Sequence, residues 1–226
     1  MNDDRLSDVE IIEAWHANAT PWTTAVRRGD IESRRLVTDQ AIVDAIMSRS
    51  PRSVLDVGCG EGWLARALSS KGVRVIGIDV VPELIEQAQK AGGGEFCVAA
   101  YEDVVAGKLD AVVDLVVCNF SLIGRESVDG IIAAAKSLLH PDGALLVQTL
   151  HPVMACGEQP YLDGWRPGSW AGFSTDFVRP APWYFRTLAS WVQLFEANGW
   201  HLEELREPMH PNTGKPASIL FIASIA

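Results

Sequence analysis

The sequence of 226 residues has few cysteines, no long apolar run and an excess of acidic over basic side chains. Its four cysteines are widely spaced and include no CxxC pair, which argues against a disulfide framework and against a zinc site. No run of 18 apolar residues is present, so we expect no transmembrane helix and no membrane partner. The polar N-terminus MNDDRLSDVE is unlike a secretory signal or a transit peptide. Free thiols and no leader make the cytoplasm the expected location.

Basic residues are scarce, and this shortage limits which macromolecules the protein can bind. Lys and Arg number 19 against 29 Asp and Glu, which gives a formal net charge of −10. Nucleic-acid binding requires a basic surface, so we expect no nucleic-acid partner. The composition, 48% hydrophobic and 21% charged, is typical of a folded globular chain.

Short β-branched runs alternate with amphipathic segments along most of the chain. Such alternation predicts βαβ units and a mainly parallel, doubly wound α/β sheet in a single domain over 1–226. We divide it into a helical N-terminal cap (1–50), a core (51–150), an aromatic segment (151–185) and a C-terminal helix with two strands (186–226). The predicted strands are 53–57, 73–79, 96–100, 111–119, 144–150, 201–207 and 218–226. The predicted helices are 9–18, ended by Thr20-Pro21, one around 42–49 with Thr38 or Asp39 as N-cap, 64–70, 83–91, 128–139 and 188–198.

The aromatic segment has no clear period and holds eight aromatic residues between positions 161 and 185. Long irregular segments in compact domains are usually functional or disordered, and aromatic density argues against disorder. Two interpretations stay open: a lid over a substrate pocket, or a packed surface excursion with its own small core.

A glycine-rich turn follows the first predicted strand, in VLDVGCGEGWLARAL over 54–68. Glycines at Gly58, Gly60 and Gly62 let the backbone bend sharply and approach a ligand, and the helix that follows favours an anionic group. The dinucleotide pattern G-x-G-x-x-G requires a small third residue, and Trp63 occupies that position. This argues against NAD.

The spacing Asp56, Gly58, Gly60, Gly62 resembles the first motif of the class I S-adenosylmethionine-dependent methyltransferases, especially small bacterial enzymes of the ubiquinone-biosynthesis type. Similar family motifs are DLVVCNF at 114–120 and LHPDG at 139–143, although Asp142 replaces a glycine and Ala100 stands where the family often has Asp. The resemblance implies a seven-stranded sheet whose last strand is antiparallel. It also implies S-adenosylmethionine as cofactor, with S-adenosylhomocysteine as product and no metal. The implied cofactor-binding residues are Asp56, Gly58, Cys59, Gly60, Asp79, Val80, Ala100, Tyr101, Glu102 and Asn119.

The acceptor implied by the resemblance is a small metabolite, partly apolar or aromatic. His151 follows the fifth strand and is the candidate general base. The expected substrate-binding residues are Trp165, Arg166, Tyr184 and Arg186, because guanidinium groups pair with carboxylates and the segment is aromatic. A homodimer is an open possibility.

Four alternatives remain at this point. The chain could be an NAD-dependent oxidoreductase, an aminopropyl transferase, or a non-catalytic binding or regulatory subunit with the same fold. It could also methylate a protein or nucleic acid, although the acidic charge disfavours nucleic acid.

Overall fold

The structure, a computed structural model, describes residues 6–226, so the predicted absence of a leader falls partly outside the described residues. The helices are α1 (Asp8–Arg28), α2 (Asp39–Ser48), α3 (Trp63–Ser69), α4 (Pro82–Ala91), α5 (Tyr101–Val105), α6 (Glu126–Ala134), α7 (Pro152–Ala155) and α8 (Leu188–Ala197). The strands are β1 (Ser53–Val57), β2 (Arg74–Asp79), β3 (Glu95–Val98), β4 (Val113–Asn119), β5 (Leu139–Thr149), β6 (Gly164–Arg166), β7 (Trp183–Phe185), β8 (Trp200–Arg206) and β9 (Ile219–Ile225). A π-helical turn covers Arg34–Thr38, and a 3₁₀ turn covers Ala135–Leu138.

Seven strands form one sheet in the order β3-β2-β1-β4-β5-β9-β8. The first five pair in parallel, and β9 lies antiparallel between β5 and β8. This confirms the predicted doubly wound α/β sheet with an antiparallel last strand. Strand order reverses between β1 and β4, and the carboxyl ends of strands at such a point are where ligands bind in open α/β sheets.

The sheet has an apolar core on each face, as expected of a parallel sheet covered on both sides. Alternate residues of β1 illustrate this: Val54 packs with Ile42, Leu64 and other residues of α2 and α3, whereas Leu55 packs in the cluster that contains α6 and α8. Both side chains are fully buried. The two cores fix the sheet and therefore the positions of the strand ends.

Several element boundaries differ from the prediction, and three of them lie at α1, α2 and β5. The first helix continues through Pro21 to Arg28 instead of ending before the proline. Proline removes a backbone donor inside a helix, and here Ala19 and Trp22 pack against the start of α4 around that point. Thr38 does not cap α2, because it already has helical backbone angles within the π-helical turn. β5 starts at Leu139, which pairs with Val113 before a register shift, and not at 144.

The aromatic segment is ordered around its own side chains. β6 and β7 form an antiparallel hairpin, and the Trp170 ring lies 5.3 Å from Phe173 and 4.6 Å from Phe177. Trp170 also contacts Trp15 of α1 at 5.9 Å between ring centroids. The buried Asn18 side chain accepts a hydrogen bond from the Val178 N–H and donates one to its carbonyl, which ties the segment to α1.

Over residues 6–226, no helix is both long and apolar enough to cross a membrane.

Candidate functional site

A cavity of about 450 Å³ lies over the carboxyl ends of the parallel strands, with α1 across it. Its wall takes residues from the turns after β1, β2 and β3 and from the loop after β4. On the α1 side the wall is mainly apolar and includes Ile11, Ile12, Trp15 and Trp22. The cavity therefore lies at the point where strand order reverses, the expected ligand position for this fold.

The glycine-rich turn is shaped for close approach. Gly58 has φ +74°, and a Cβ there would collide with the Ser121 side chain. Ser121 Oγ donates to the Val57 carbonyl at 2.6 Å, and the Tyr101 hydroxyl donates to the Ser121 carbonyl at 3.0 Å. The turns after β1, β3 and β4 are thus locked together, and only glycine fits at position 58.

Asp79, at the end of β2, faces the cavity and also holds two turns. Its Oδ2 accepts from the Gly60 N–H at 2.9 Å, and its Oδ1 accepts from the Val81 N–H at 3.0 Å. Burial raises the pKa of this carboxyl above its ordinary value, while the hydrogen bonds from Val81 and Gly60 oppose the rise. Each oxygen keeps a lone pair for a donor in the cavity.

Asp56 lies deeper, at the penultimate position of β1, and only 2% of its surface is exposed. Burial raises its pKa to about 7; the negative charge of Asp79 adds to the rise, and the positive charge of Arg34 lowers it. Asp56 is not on the cavity wall. Its charge therefore acts on the site from behind the glycine-rich turn.

Arg34 supplies a cation to the cavity wall. Its Nε donates to Asp39 Oδ1 at 2.9 Å, and its guanidinium carbon lies 4.8 Å from the Trp63 ring centroid and 5.8 Å from that of Trp22. Its Nη2 is buried and has no hydrogen-bond partner among residues 6–226. A buried donor left unpaired is costly, so a ligand acceptor at this atom would be strongly favoured.

Glu61, inside the glycine-rich turn, lies on the cavity wall and is not among the residues predicted from the sequence. The fully buried Glu61 side chain accepts from Arg27 of α1 at 2.9 Å and from Arg66 of α3 at 2.6 and 2.8 Å. This ion triad fastens α1 to the turn. The sequence feature that indicates this ion pair is an acidic residue between two glycines, with Arg66 five residues later.

Most of the predicted cofactor-binding residues are brought together on the cavity wall. The wall includes Gly58, Cys59, Gly60, Asp79, Val80, Ala100, Tyr101, Glu102 and Asn119. Asn119 accepts at Oδ1 from Gln148 Nε2 at 2.8 Å, which fixes the orientation of its amide. Phe120 follows it with φ +55°, a strained angle for a non-glycine residue, of the kind found at functional sites. Of the predicted ten, Asp56 alone is set back from the wall.

His151, the predicted general base, is buried and does not line the cavity, although its neighbour Leu150 does. Its Nε2 lies 2.7 Å from Glu207 Oε1. Its Nδ1 is buried without a partner within the described part of the chain.

The four predicted substrate-binding residues also lie off the cavity wall. Arg166 is buried, donates to the Gln159 side chain and to the Pro160 carbonyl, and stacks on Phe185. Arg186 donates to the carbonyls of Gly124 and Arg125 and to Asp129. Internal acceptors occupy both guanidinium groups.

The two aromatic members of this predicted set are used for packing. The Trp165 and Tyr184 rings stack edge to face at 5.6 Å, and the Tyr184 N–H donates to the Ile123 carbonyl. Phe173 is the residue through which the aromatic segment reaches the cavity.

The family follows from comparison with known proteins. A methyltransferase domain model matches residues 33–205, about three quarters of the chain. The chain belongs to the class I S-adenosylmethionine-dependent methyltransferases. The resemblance inferred from the glycine-rich turn is thereby confirmed.

Curated relatives support the same family. A ubiquinone biosynthesis O-methyltransferase from Xylella fastidiosa strain M23 is 34% identical over 170 residues, which cover 70% of this chain. The match spans 65% of that relative's own length.

Solved structures share the methyltransferase fold. An S-adenosylmethionine-dependent methyltransferase from Clostridium acetobutylicum matches with a TM-score of 0.64 at 11% identity, covering 89% of this chain and 95% of its own. Magnesium protoporphyrin IX methyltransferase from Synechocystis, solved with bound S-adenosylhomocysteine, matches at 0.58 and 18% identity, covering 86% and 83%. At these identities the likeness concerns the fold.

Proposed function

We propose that this methyltransferase transfers a methyl group from S-adenosylmethionine to a small, largely apolar acceptor. The observation that carries the proposal is the cavity itself, whose wall combines the glycine-rich turn, Asp79 and Asn119 with Arg34, whose Nη2 is buried and has no hydrogen-bond partner among residues 6–226. S-adenosylmethionine supplies an activated methyl group on a sulfonium sulfur. The protein has to bind, orient and exclude water, which can contribute roughly 7–11 kcal/mol of barrier reduction.

The donor groups on the wall fit the functional groups of this cofactor. Arg34 Nη2 would hold the methionine carboxylate, because a charge-assisted hydrogen bond satisfies a buried donor that has no partner among the described residues. Asp79 would accept from the ribose hydroxyls with its remaining lone pairs. Val80, Ala100, Tyr101 and Glu102 would surround the adenine, and Asn119 would line the position near the sulfonium.

Asp56 fits the positive charge of the same cofactor. The sulfonium and the α-amino group are cationic, and a carboxylate behind the turn favours cations in the cavity. Since burial raises the pKa of Asp56 to about 7, its negative charge is present above neutrality and lost below it. The affinity for S-adenosylmethionine should therefore increase between pH 6 and pH 8.

The acceptor end of the cavity supports a small apolar molecule. Its wall includes Ile11, Ile12, Ile123, Leu150 and Phe173, and α1 lies across it. The relatives named ubiquinone biosynthesis O-methyltransferase support oxygen as the atom that receives the methyl group. The net charge of −10 argues against nucleic acid as the acceptor.

Calorimetric titration with S-adenosylmethionine, S-adenosylhomocysteine and NAD⁺ tests the proposal. We expect one-site binding of the first two and no binding of NAD⁺. Arg34→Gln should weaken S-adenosylhomocysteine binding about 10-fold to 100-fold through loss of a charged hydrogen bond. Arg35→Gln is the matched control, because Arg35 is the exposed neighbour. Binding of NAD⁺ alone would overturn the assignment, and equal losses in the two variants would remove the role given to Arg34.

A further inference from the structure

The cavity continues beyond the strands that would hold the cofactor. Adenine, ribose and methionine would lie over the ends of β3, β2, β1 and β4, strands spaced about 4.8 Å apart. Past β4 the wall is formed by Ile123, Gly124, Ser127 and Leu150. The start of α1 lies over this end, since Asp8 contacts the start of α6, whereas Arg27 at the other end of α1 contacts Glu61.

This far end is apolar except for one polar spot formed by Asp8 and Ser127, both on the cavity wall. Asp8 Oδ1 accepts from the Arg125 N–H and Oδ2 from the Ser127 N–H, each at 2.8 Å. Each oxygen keeps a lone pair. Ser127 Oγ makes no hydrogen bond to any residue that the structure describes. A Cβ on Gly124 would lie 2.7 Å from Asp8 Oδ1 and would also collide with Ser127 Oγ, so Gly124 keeps this spot open.

The charge of the spot is negative. Among residues 6–226, the neighbouring guanidinium groups are engaged with other partners: Arg186 is bonded to backbone carbonyls and Asp129, and Arg125 Nε lies 3.8 Å from Glu126 Oε1. The two backbone N–H groups at the start of α6 already stabilise the carboxylate. An anionic acceptor would be repelled here, while a neutral hydroxyl can donate to Asp8 and accept from Ser127.

We propose that Asp8 and Ser127 form a recognition subsite that selects acceptors carrying a neutral hydroxyl and rejects anionic ones. The proposal rests on the proposed function in that it takes the cofactor to occupy the other end of the cavity. Asp8 and Ser127 are positioning residues that bind and orient the hydroxyl end of a compact apolar molecule.

Three probes of the same size test the subsite by calorimetry: 2-naphthol, 2-methoxynaphthalene and 2-naphthoate, each titrated with and without saturating S-adenosylhomocysteine. We expect 2-naphthol to bind about tenfold or more tighter than 2-methoxynaphthalene, because only the naphthol donates a hydrogen bond to a charged acceptor. We expect 2-naphthoate not to bind. Equal affinities for naphthol and its methyl ether, failure of both to bind, or preferred binding of 2-naphthoate would overturn the proposal.

Two variants locate the effect. Ser127→Ala keeps the backbone N–H that Asp8 accepts, so it should weaken 2-naphthol several-fold and leave S-adenosylhomocysteine and 2-methoxynaphthalene unchanged. Ser137→Ala, at an exposed serine beyond α6, is the control and should change nothing. Asp8→Asn should remove the discrimination against 2-naphthoate. If Asp8→Asn does not fold, Ser127→Ala alone tests the subsite. An unchanged affinity for 2-naphthol in Ser127→Ala would contradict the subsite.

Titration with S-adenosylhomocysteine distinguishes failure of the subsite from failure of the proposed function. Probe discrimination in a protein that does not bind S-adenosylhomocysteine would support the subsite and refute the proposed function. Normal S-adenosylhomocysteine binding without probe discrimination would support the proposed function and refute the subsite.

Discussion

Replacing Asp56 with Asn should stabilise the protein at neutral and alkaline pH, although Asp56 is buried in the core. Its pKa is about 7 in the folded chain against an ordinary value of 3.8, and burial is the main cause. Between pH 3.8 and about pH 7, Asp56 keeps a proton in the folded state that it has released in the unfolded chain. The raised pKa therefore makes the free energy of unfolding fall as pH rises from about 4 to about 7, and it stays low above that.

The magnitude follows from the shift. A displacement from 3.8 to about 7 corresponds to about 4 kcal/mol of lost stability above pH 7. Between pH 5 and pH 8 the loss is about 3 kcal/mol, since each pH unit below the folded pKa contributes about 1.4 kcal/mol. Asp56→Asn is neutral at every pH and lacks this dependence. Its stability advantage over the natural protein should increase by that amount across the range.

Urea unfolding of the cofactor-free protein at pH 5, 6, 7 and 8 measures the difference. Asp114→Asn is the control of opposite sign. Although partial burial acts the other way, hydrogen bonds from Arg52 and Ser53 lower the pKa of Asp114. The ionised Asp114 carboxylate stabilises the fold at pH values above the pKa that Asp114 has in the unfolded chain. Asp114→Asn should therefore be less stable than the natural protein by a constant amount over pH 5–8. A pH-independent difference for Asp56→Asn would refute the reasoning about burial.

Gly58→Ala should destabilise the chain by about 1–3 kcal/mol and abolish S-adenosylhomocysteine binding, since its Cβ meets a side chain at positive φ. Thermal unfolding and calorimetry check this against Gly72→Ala, which has positive φ but open space. Asp79→Ala should remove most cofactor affinity and free two backbone donors; unchanged calorimetric binding would contradict its assignment. Asn18→Ala should cost about 1–3 kcal/mol and speed limited proteolysis of the aromatic segment, because the Val178 backbone loses its buried partner. An unaltered cleavage rate would show that other contacts hold the segment.

The sheet and the cofactor end of the cavity could be predicted because their signals are local. A strand, a glycine-rich turn and an acidic residue at the next strand end are each read from a few neighbouring positions. Parallel strands then place those ends at one edge. Gly58, Asp79, Tyr101 and Asn119 meet at the cavity for this reason.

The end of the cavity that we propose for the acceptor could not be predicted, because its shape depends on where α1 lies. That position is set by contacts between residues far apart in sequence: Asp8 with α6, Asn18 with Val178, and Arg27 with Glu61. The helix also passes Pro21, where a local rule predicts an end. The internal partners of Arg166 and Arg186 also depend on the folded positions of the loops. The sequence suggests both residues as anion binders, whereas in the structure both donate to backbone carbonyls.

Among the residues that the structure describes, several features in and around the cavity cost folding stability. Burial disfavours the charge of both Asp56 and Asp79. Arg34 keeps a buried donor that has no partner in residues 6–226, and Phe120 holds a strained backbone angle beside Asn119. Sequences agree with their fold at most positions and depart from it at functional sites. A ligand with a carboxylate, hydroxyl groups and a positive centre would offset these costs together, because it supplies a partner for Arg34, donors for Asp79 and a counter-charge for Asp56. The unfavourable features of the cavity are thus evidence for its cofactor that is independent of the family match.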